Sequence, residues 1–366
     1  MDERENMETG QWYFPGKPCR KCGLREIDYS ENKNSILCSE CREELIKYPF
    51  PKKMILAAVL VLVLVIVAMA RTPGIIRMYK MYSQAEEQSE NGDVYPALLN
   101  LQTVLDSYPS SIPAAVSMTD IAMEHGYYDV AAYALNNYLV GKEVNDSTYA
   151  RLMRYTDKLS QYYDTMDQVE QLYAAVGEDM GQEVQEEADL EAVIELMRAK
   201  LLDMTEREDL DKGLLYYYLA SLAVDEKEHV EYLEASVKAD PLLGFPEVEL
   251  GTYRRSSGDL EGARECYVSV LENDRSNTAA LRAMGILKML EGDKESGLSD
   301  VRKAFELNPD ETYVRETLVI ALLECGLKEE ADSLLSQFEG EGIEFDDDFS
   351  TYLNGDVSLY DYYVGR

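Results

Sequence analysis

Histidine is almost missing from this chain: His125 and His229 are the only two in 366 residues. Enzymes that move protons near neutral pH lean on imidazole, so the scarcity leaves little for acid–base chemistry. No Gly-rich phosphate loop, G-x-S-x-G elbow or H-E-x-x-H pair is present either. Positive charge is also short, with 35 Lys and Arg against 70 Asp and Glu and a net charge of −35. Residues 1–53 carry ten charges of each sign and residues 54–70 carry none, so the whole excess belongs to residues 71–366. Such a surface repels nucleic acid and anionic lipid headgroups, which argues against nucleic-acid binding by the large C-terminal part; the neutral N-terminal part keeps a weaker claim. Cysteine is sparse too: of six, Cys19, Cys22, Cys38 and Cys41 crowd the beginning, while Cys266 and Cys325 stand alone. A secreted disulfide scaffold would be short and cysteine-dense throughout, and this chain is neither. With 46% hydrophobic and 29% charged residues it has the apolar matter for a core.

What the chain does have begins with one apolar run. Residues 54–70 read MILAAVLVLVLVIVAMA, bounded by Lys52 and Lys53 before and Arg71 after. At about 1.5 Å per residue it makes roughly 25 Å of helix, short of a hydrocarbon core of about 30 Å; snorkelling of the flanking cations and mild thinning close the gap. The run therefore predicts one transmembrane helix, with flanks at 49–71. A buried core helix would not be apolar without interruption and cationic at both ends. Ala68-Met69-Ala70 resembles a signal-peptidase site, but a cleaved signal would need a 53-residue leader region ahead of it. Basic residues within fifteen positions of the span number four before it and three after, a thin margin. Thiols decide the orientation instead, because a four-thiolate site assembles most safely in a reducing compartment. The N-terminus is expected in the cytoplasm and the C-terminal domain outside it.

Residues 19–41 read CRKCGLREIDYSENKNSILCSEC, two C-x2-C pairs separated by fifteen residues. Thiolates three residues apart can bite one metal from a tight knuckle, and two knuckles complete a tetrahedron. Gly23 gives the first knuckle a permissive backbone, Asn32 to Asn34 supply a turn, Ser35-Ile36-Leu37 predict a short strand, and EELIKY starts a helix. The pattern resembles zinc-ribbon or treble-clef modules over about residues 17–47. Four protein thiolates leave no open position for water, so Cys19, Cys22, Cys38 and Cys41 are expected to hold a structural Zn2+. A redox CxxC would sit in a βαβ context that is absent.

The rest is periodic. Gly258, Gly292 and Gly326 stand 34 residues apart, as do Ala263, Gly297 and Ala331, and Asp240, Asp274 and Asn308. Gly92 and Gly126, Ala97 and Ala131, and Leu101 and Leu135 repeat the same interval just after the apolar run. Stretches such as ELGTYRRSSGDLEGARECY and AMGILKMLEGDKESGL look like the tetratricopeptide repeat: small residues that let two helices approach, a glycine turn between them, and proline beyond. Repeats are expected at 78–111 and 112–145, degenerate at 146–176 and 210–243, and regular at 244–277, 278–311 and 312–343. The two frames disagree by four residues across 177–188, which reads as a linker ahead of a helix at 189–203. The fold class is thus all-α: a tetratricopeptide-like alpha-solenoid preceded by one transmembrane helix and a small zinc-ribbon-like module. Its parts are 1–48, 49–71, 72–176, 177–209, 210–343 and an acidic, tyrosine-rich capping tail at 344–366.

The histidines fall at a repeat turn and a packing position, and most of the 27 tyrosines, Tyr216-Tyr217-Tyr218 included, read as packing between helices. Asp346-Asp347-Asp348 lacks the spaced ligands of a calcium loop. Cys266 and Cys325 lie in separate repeats, too far apart for a disulfide. The resemblance implies a protein-binding scaffold and not an enzyme, with an unidentified protein or peptide held on a concave face of first helices. The lysine–asparagine carboxylate clamp of chaperone-binding members is absent, since the matching places hold Val248 and Thr252, Arg282 and Ile286, and Glu316 and Ile320. In the C-terminal block the frame puts Phe245, Arg255, Arg282, Ile286, Met289, Tyr313, Ile320 and Leu323 on that face, where exposed apolar stripes mark contact sites. The bland alternative is that segment 344–366 folds back over the groove. Two other functions stay open: a transmembrane relay joining the repeats to a cytoplasmic partner of the zinc module, and an accessory subunit of an envelope enzyme complex.

Overall fold

The computed structural model describes residues 16–47, 51–180, 187–343, 345 and 347–364. The chain divides into two compact units, 1–75 and 76–366.

In the first unit the knuckle segment leads into α1 (Ser39–Ile46), and α2 (Lys52–Glu90) begins soon after. The only β contact among the described residues is an antiparallel bridge between Pro18 and Glu26. The short strand expected at Ser35–Leu37 is not there. Those residues instead accept single bonds, Ile36 O from Arg20 N–H at 3.0 Å and Leu37 O from Asp28 N–H at 3.1 Å. A segment this small has no second strand to complete a ladder. Helix α2 carries the apolar run, and every side chain from Met54 to Met69 is exposed. It is the one helix among the described residues long and apolar enough to cross a membrane, by length and composition. It continues through Pro73, where a proline removes one backbone donor.

The second unit is built of antiparallel helix pairs. The last turns of α2 pair with α3 (Val94–Ser107); α4 (Ile112–Glu124) pairs with α5 (Tyr128–Ala134), which runs into a π-helical turn at Leu135–Leu139. Then come α6 (Asp146–Met180) and α7 (Glu187–Thr205), followed by four pairs: α8 (Lys212–Ser221) with α9 (Glu226–Ala239), α10 (Gly244–Ser256) with α11 (Leu260–Asn273), α12 (Thr278–Leu290) with α13 (Lys294–Leu307), and α14 (Thr312–Glu324) with α15 (Lys328–Gly340). Two short helices, α16 (Asp347–Leu353) and α17 (Leu359–Tyr363), end the chain.

The pairs form for reasons visible in their residues. The turn glycines take left-handed backbone, φ 80° at Gly92 and 94° at Gly292, which costs other residues a Cβ clash. Asp259 and Asp293 cap the next helix by accepting from Gly262 N–H and Ser296 N–H. Within the α12–α13 pair, a Cβ on Gly285 would meet Val301 Cγ2 at 2.6 Å, so glycine sets the close crossing of the two helices.

Two features depart from the repeat frame. The degenerate repeat expected at 146–176 is a single helix, α6, because no glycine falls between Gly141 and Gly177 to make its turn. The helix expected at 189–203 is present as α7, while part of the linker expected at 177–188 is helix and residues 181–186 lie outside the described residues. Second, the N-terminal pairs dock on the loops of the C-terminal ones. Arg275 N–H donates to Gly92 O at 2.8 Å, Tyr95 N–H to Ser276 Oγ at 2.8 Å, and the Tyr127 hydroxyl to Asp274. Tyr128 donates to Asp240 at 2.8 Å, and Lys158 on α6 bridges Asp240 and Asp211 at 2.6 Å each.

Candidate metal centre and partner groove

Cys19 and Cys22 sit on a turn closed by Gly23 N–H donating to Cys19 O at 2.8 Å, with Gly23 at φ 66°. Cys38 caps α1 and Cys41 lies in its first turn, so the helix fixes the second pair. The four Sγ atoms all lie within 4.8 Å of one another, and three of the four cysteines are buried. Arg42 ties the loop to the helix, reaching Asp28 O at 2.7 Å and Glu31 at 2.6 Å. The backbone N–H of Cys22 is the main cause holding the Cys19 thiol at about 6, while hydrogen bonding with Cys38 and burial push Cys41 up to about 12. Thiols this close together resist ionising in common, and a divalent cation among them relieves that. The donor set and its spread fit a chelated metal ion.

The eight residues expected to line a partner groove lie in two settings. Phe245 and Tyr313 are exposed at 39% and 58%, Phe245 packing edge-on to Tyr217 with ring centroids 4.7 Å apart. Arg282 lies over Tyr313 and donates to Thr317 Oγ1 at 3.0 Å. Ile286, Met289 and Ile320 are buried, and Leu323 packs beside them. The chain's own tail packs here: Phe349, Tyr352 and Tyr363 join the same apolar cluster as Ile286 and Ile320. The Tyr352 hydroxyl donates to Glu324 at 2.7 Å, and the Tyr363 hydroxyl stands 3.4 Å from Thr317 Oγ1. Arg255 lies against the Tyr363 ring, 5.0 Å from its centroid. Burial pushes both phenols above their ordinary range, so each stays a neutral donor.

The sequence reading missed a polar cluster between the two sets of repeats. Asp211, Asp240 and Asp274 are buried there. Burial works against the charge on Lys158, but hydrogen bonds and attraction from Asp211 and Asp240 outweigh it and raise the lysine's pKa. His125 also belongs to this contact, its Nδ1 at 2.7 Å from Asn273 O. The one signal was the aromatic pair Tyr127-Tyr128 directly after a turn glycine. His229 Nδ1 sits 2.9 Å from Ala220 O, and Cys266 and Cys325 are both free thiols.

No family model matches the chain, and no curated protein does. Among solved structures, the chain is similar to MamA AMB-1 at 18% identity, over 41% of this chain and 91% of that one, with a TM-score of 0.33. It is similar to a MamA RS-1 double mutant at 13% identity over 48% and 94%, TM-score 0.36. It is also similar to yeast Tom70 at 13% identity over 77% of this chain and 66% of that one, TM-score 0.38. Similarity at this level says nothing of function.

Proposed function

We propose that the chain is a membrane-anchored protein–protein interaction scaffold and not an enzyme. Helix α2 crosses the bilayer through residues 54–70. The four cysteines hold a structural Zn2+ in a zinc-ribbon-like module on the cytoplasmic side, and tetratricopeptide-type repeats stand outside the cytoplasm. The metal supplies folding free energy to a segment too small to bury a core, on the order of 10–16 kcal/mol for such sites. The repeats take a protein or peptide on the face made by α8, α10, α12 and α14, and they do not bind nucleic acid.

One observation carries this reading: a segment of polypeptide, the chain's own tail, already lies against α10 and α14 on that face and seats aromatic side chains there. A surface that accepts one segment this way has the shape and chemistry to accept another. The test is site-specific photocrosslinking of the full chain in its native membrane. A crosslinker at Tyr313 or Phe245 should capture one defined protein, and a crosslinker at Glu272 on the second helix α11 should not. Equal capture from both positions, or none from the first two, contradicts the groove as the contact site. Protease added to intact cells should digest the repeats; protection there would reverse the orientation.

A further inference from the structure

The tail covers the groove without satisfying it. Arg255 is 6% exposed, and its Nε and Nη1 atoms have no hydrogen-bond partner. A buried guanidinium with two of its nitrogens, three N–H bonds in all, left without an acceptor is costly, because each has given up water for nothing. What the tail presents to this cation is the face of a neutral phenol ring, that of Tyr363. Cation–π contact offsets part of the desolvation; a carboxylate would offset more, since charge-assisted bonds to arginine are roughly twice as strong as neutral ones. Fit is incomplete elsewhere as well. An open depression of about 620 Å³ lies where Met289 and Leu323 on the repeats meet Tyr352 and Leu359 on the tail.

The tail is also weakly structured on its own account. Its helices are 7 and 5 residues long, well below the length at which an isolated helix holds in water. Its grip rests on a few buried side chains: Phe349, Tyr352, Tyr363 and Val364. Residues 344–366 carry six Asp and Glu against one Arg, so the sign of the tail suits Arg255 and Arg282. An acidic, aromatic strip is therefore the right class of ligand, and this copy of it leaves Nε and Nη1 of Arg255 without an acceptor.

We propose that segment 347–364 is an intramolecular plug, and that the partner of this groove is an acidic, aromatic peptide segment that displaces it and pairs a carboxylate with Arg255. The inference deepens the scaffold reading by naming the partner's chemistry, and it rests on that reading. Held in place by a short linker, the plug competes at high effective concentration, so a free segment must bind better than the tail does in order to win. The two Arg255 nitrogens without an acceptor are where that advantage comes from.

The probe is a fluorescent peptide of residues 345–366, titrated by anisotropy against the full chain in detergent. Against the wild-type chain it should bind weakly, because the resident tail competes. In the full-length Tyr352→Ala/Tyr363→Ala chain the resident tail is loosened, and the peptide should bind at least tenfold more tightly. A probe carrying glutamate in place of Tyr363 should gain further affinity. Adding Arg255→Met, which keeps the volume, should cancel that last gain while helical content by circular dichroism stays unchanged. Equal binding to wild-type and loosened chains overturns the plug. So does loss of helical content in the loosened chain, which would make the tail an integral cap of the repeats. A glutamate gain that survives Arg255→Met overturns the assignment of the carboxylate site. A concentration-dependent dimer of the loosened chain, dispersed by free peptide, would give the groove to the tail of a second copy instead. Any of these can occur while crosslinking at Tyr313 still captures a partner, so failure of the plug and failure of the scaffold reading are told apart.

Discussion

Gly126 in the N-terminal pairs and Gly258 in the C-terminal ones each make the turn between the two helices of a pair, and both take left-handed backbone, at φ 77° and 86°. Their surroundings differ completely. A Cβ at Gly258 would meet nothing within 4 Å, whereas one at Gly126 would lie 2.0 Å from Leu242 O. The first glycine serves only its own turn. The second also lets that turn rest against the backbone of a loop more than a hundred residues away. The same local sequence grammar thus builds the same helix pair twice, and long-range contacts then give one copy a second duty. In the N-terminal pairs the turn end is the docking surface; in the C-terminal pairs the face of first helices is, and the tail sits on it.

Substitutions can break this contrast at several strengths. The largest loss should come from Lys158→Met, which strands two buried carboxylates at the junction; we expect about 3–5 kcal/mol from denaturant unfolding of the repeat unit. The sign of its pH dependence follows from the raised lysine pKa. The ion pair contributes fully at neutral pH, below the unfolded value of about 10.4, and that contribution fades only as pH climbs through the higher folded value. Next is Gly126→Ala, where backbone strain and the clash with Leu242 add to about 2–4 kcal/mol. Gly258→Ala has the strain alone and should lose about 1–2 kcal/mol. If the two glycine variants prove equally stable, the junction is not packed as described. Asp225→Ala removes the cap on α9, which accepts from Glu228 N–H at 2.9 Å, and should lose about 1 kcal/mol. Lys227→Ala, in an exposed pair with Glu231, should fall within about 0.5 kcal/mol of wild type.

Legibility in the sequence follows the range of the interactions. The four-cysteine cluster was readable because ligand spacing is local: two residues between thiols fix a knuckle, and the sulfurs of Cys19, Cys22, Cys38 and Cys41 converge. Turns and close crossings were readable because glycine and alanine recur at fixed intervals, and Ala97, Ala131, Ala263 and Ala331 are all fully buried. The long helix α6 was misread because the frame was extended over residues with no turn glycine. That Asp240 would meet Tyr128 was not readable, since nothing in a 34-residue period relates one block's loop to another block's turn. The state of the expected groove residues was not legible: the frame put Ile286 and Ile320 on the first-helix face, and the structure has them buried in a cluster that the tail joins.

The junction between the two sets of repeats is tested most directly by hydrogen exchange at the Arg275 amide in the full chain. That N–H lies in a loop between α11 and α12 and has one partner, Gly92 O of the N-terminal pairs, at 2.8 Å. If the blocks are docked, the amide should exchange orders of magnitude more slowly than a free loop amide, and Lys158→Met should speed it while amides within α12 stay protected. Exchange at the rate of an unprotected loop in the wild-type chain would contradict the docking of the N-terminal pairs on the C-terminal loops.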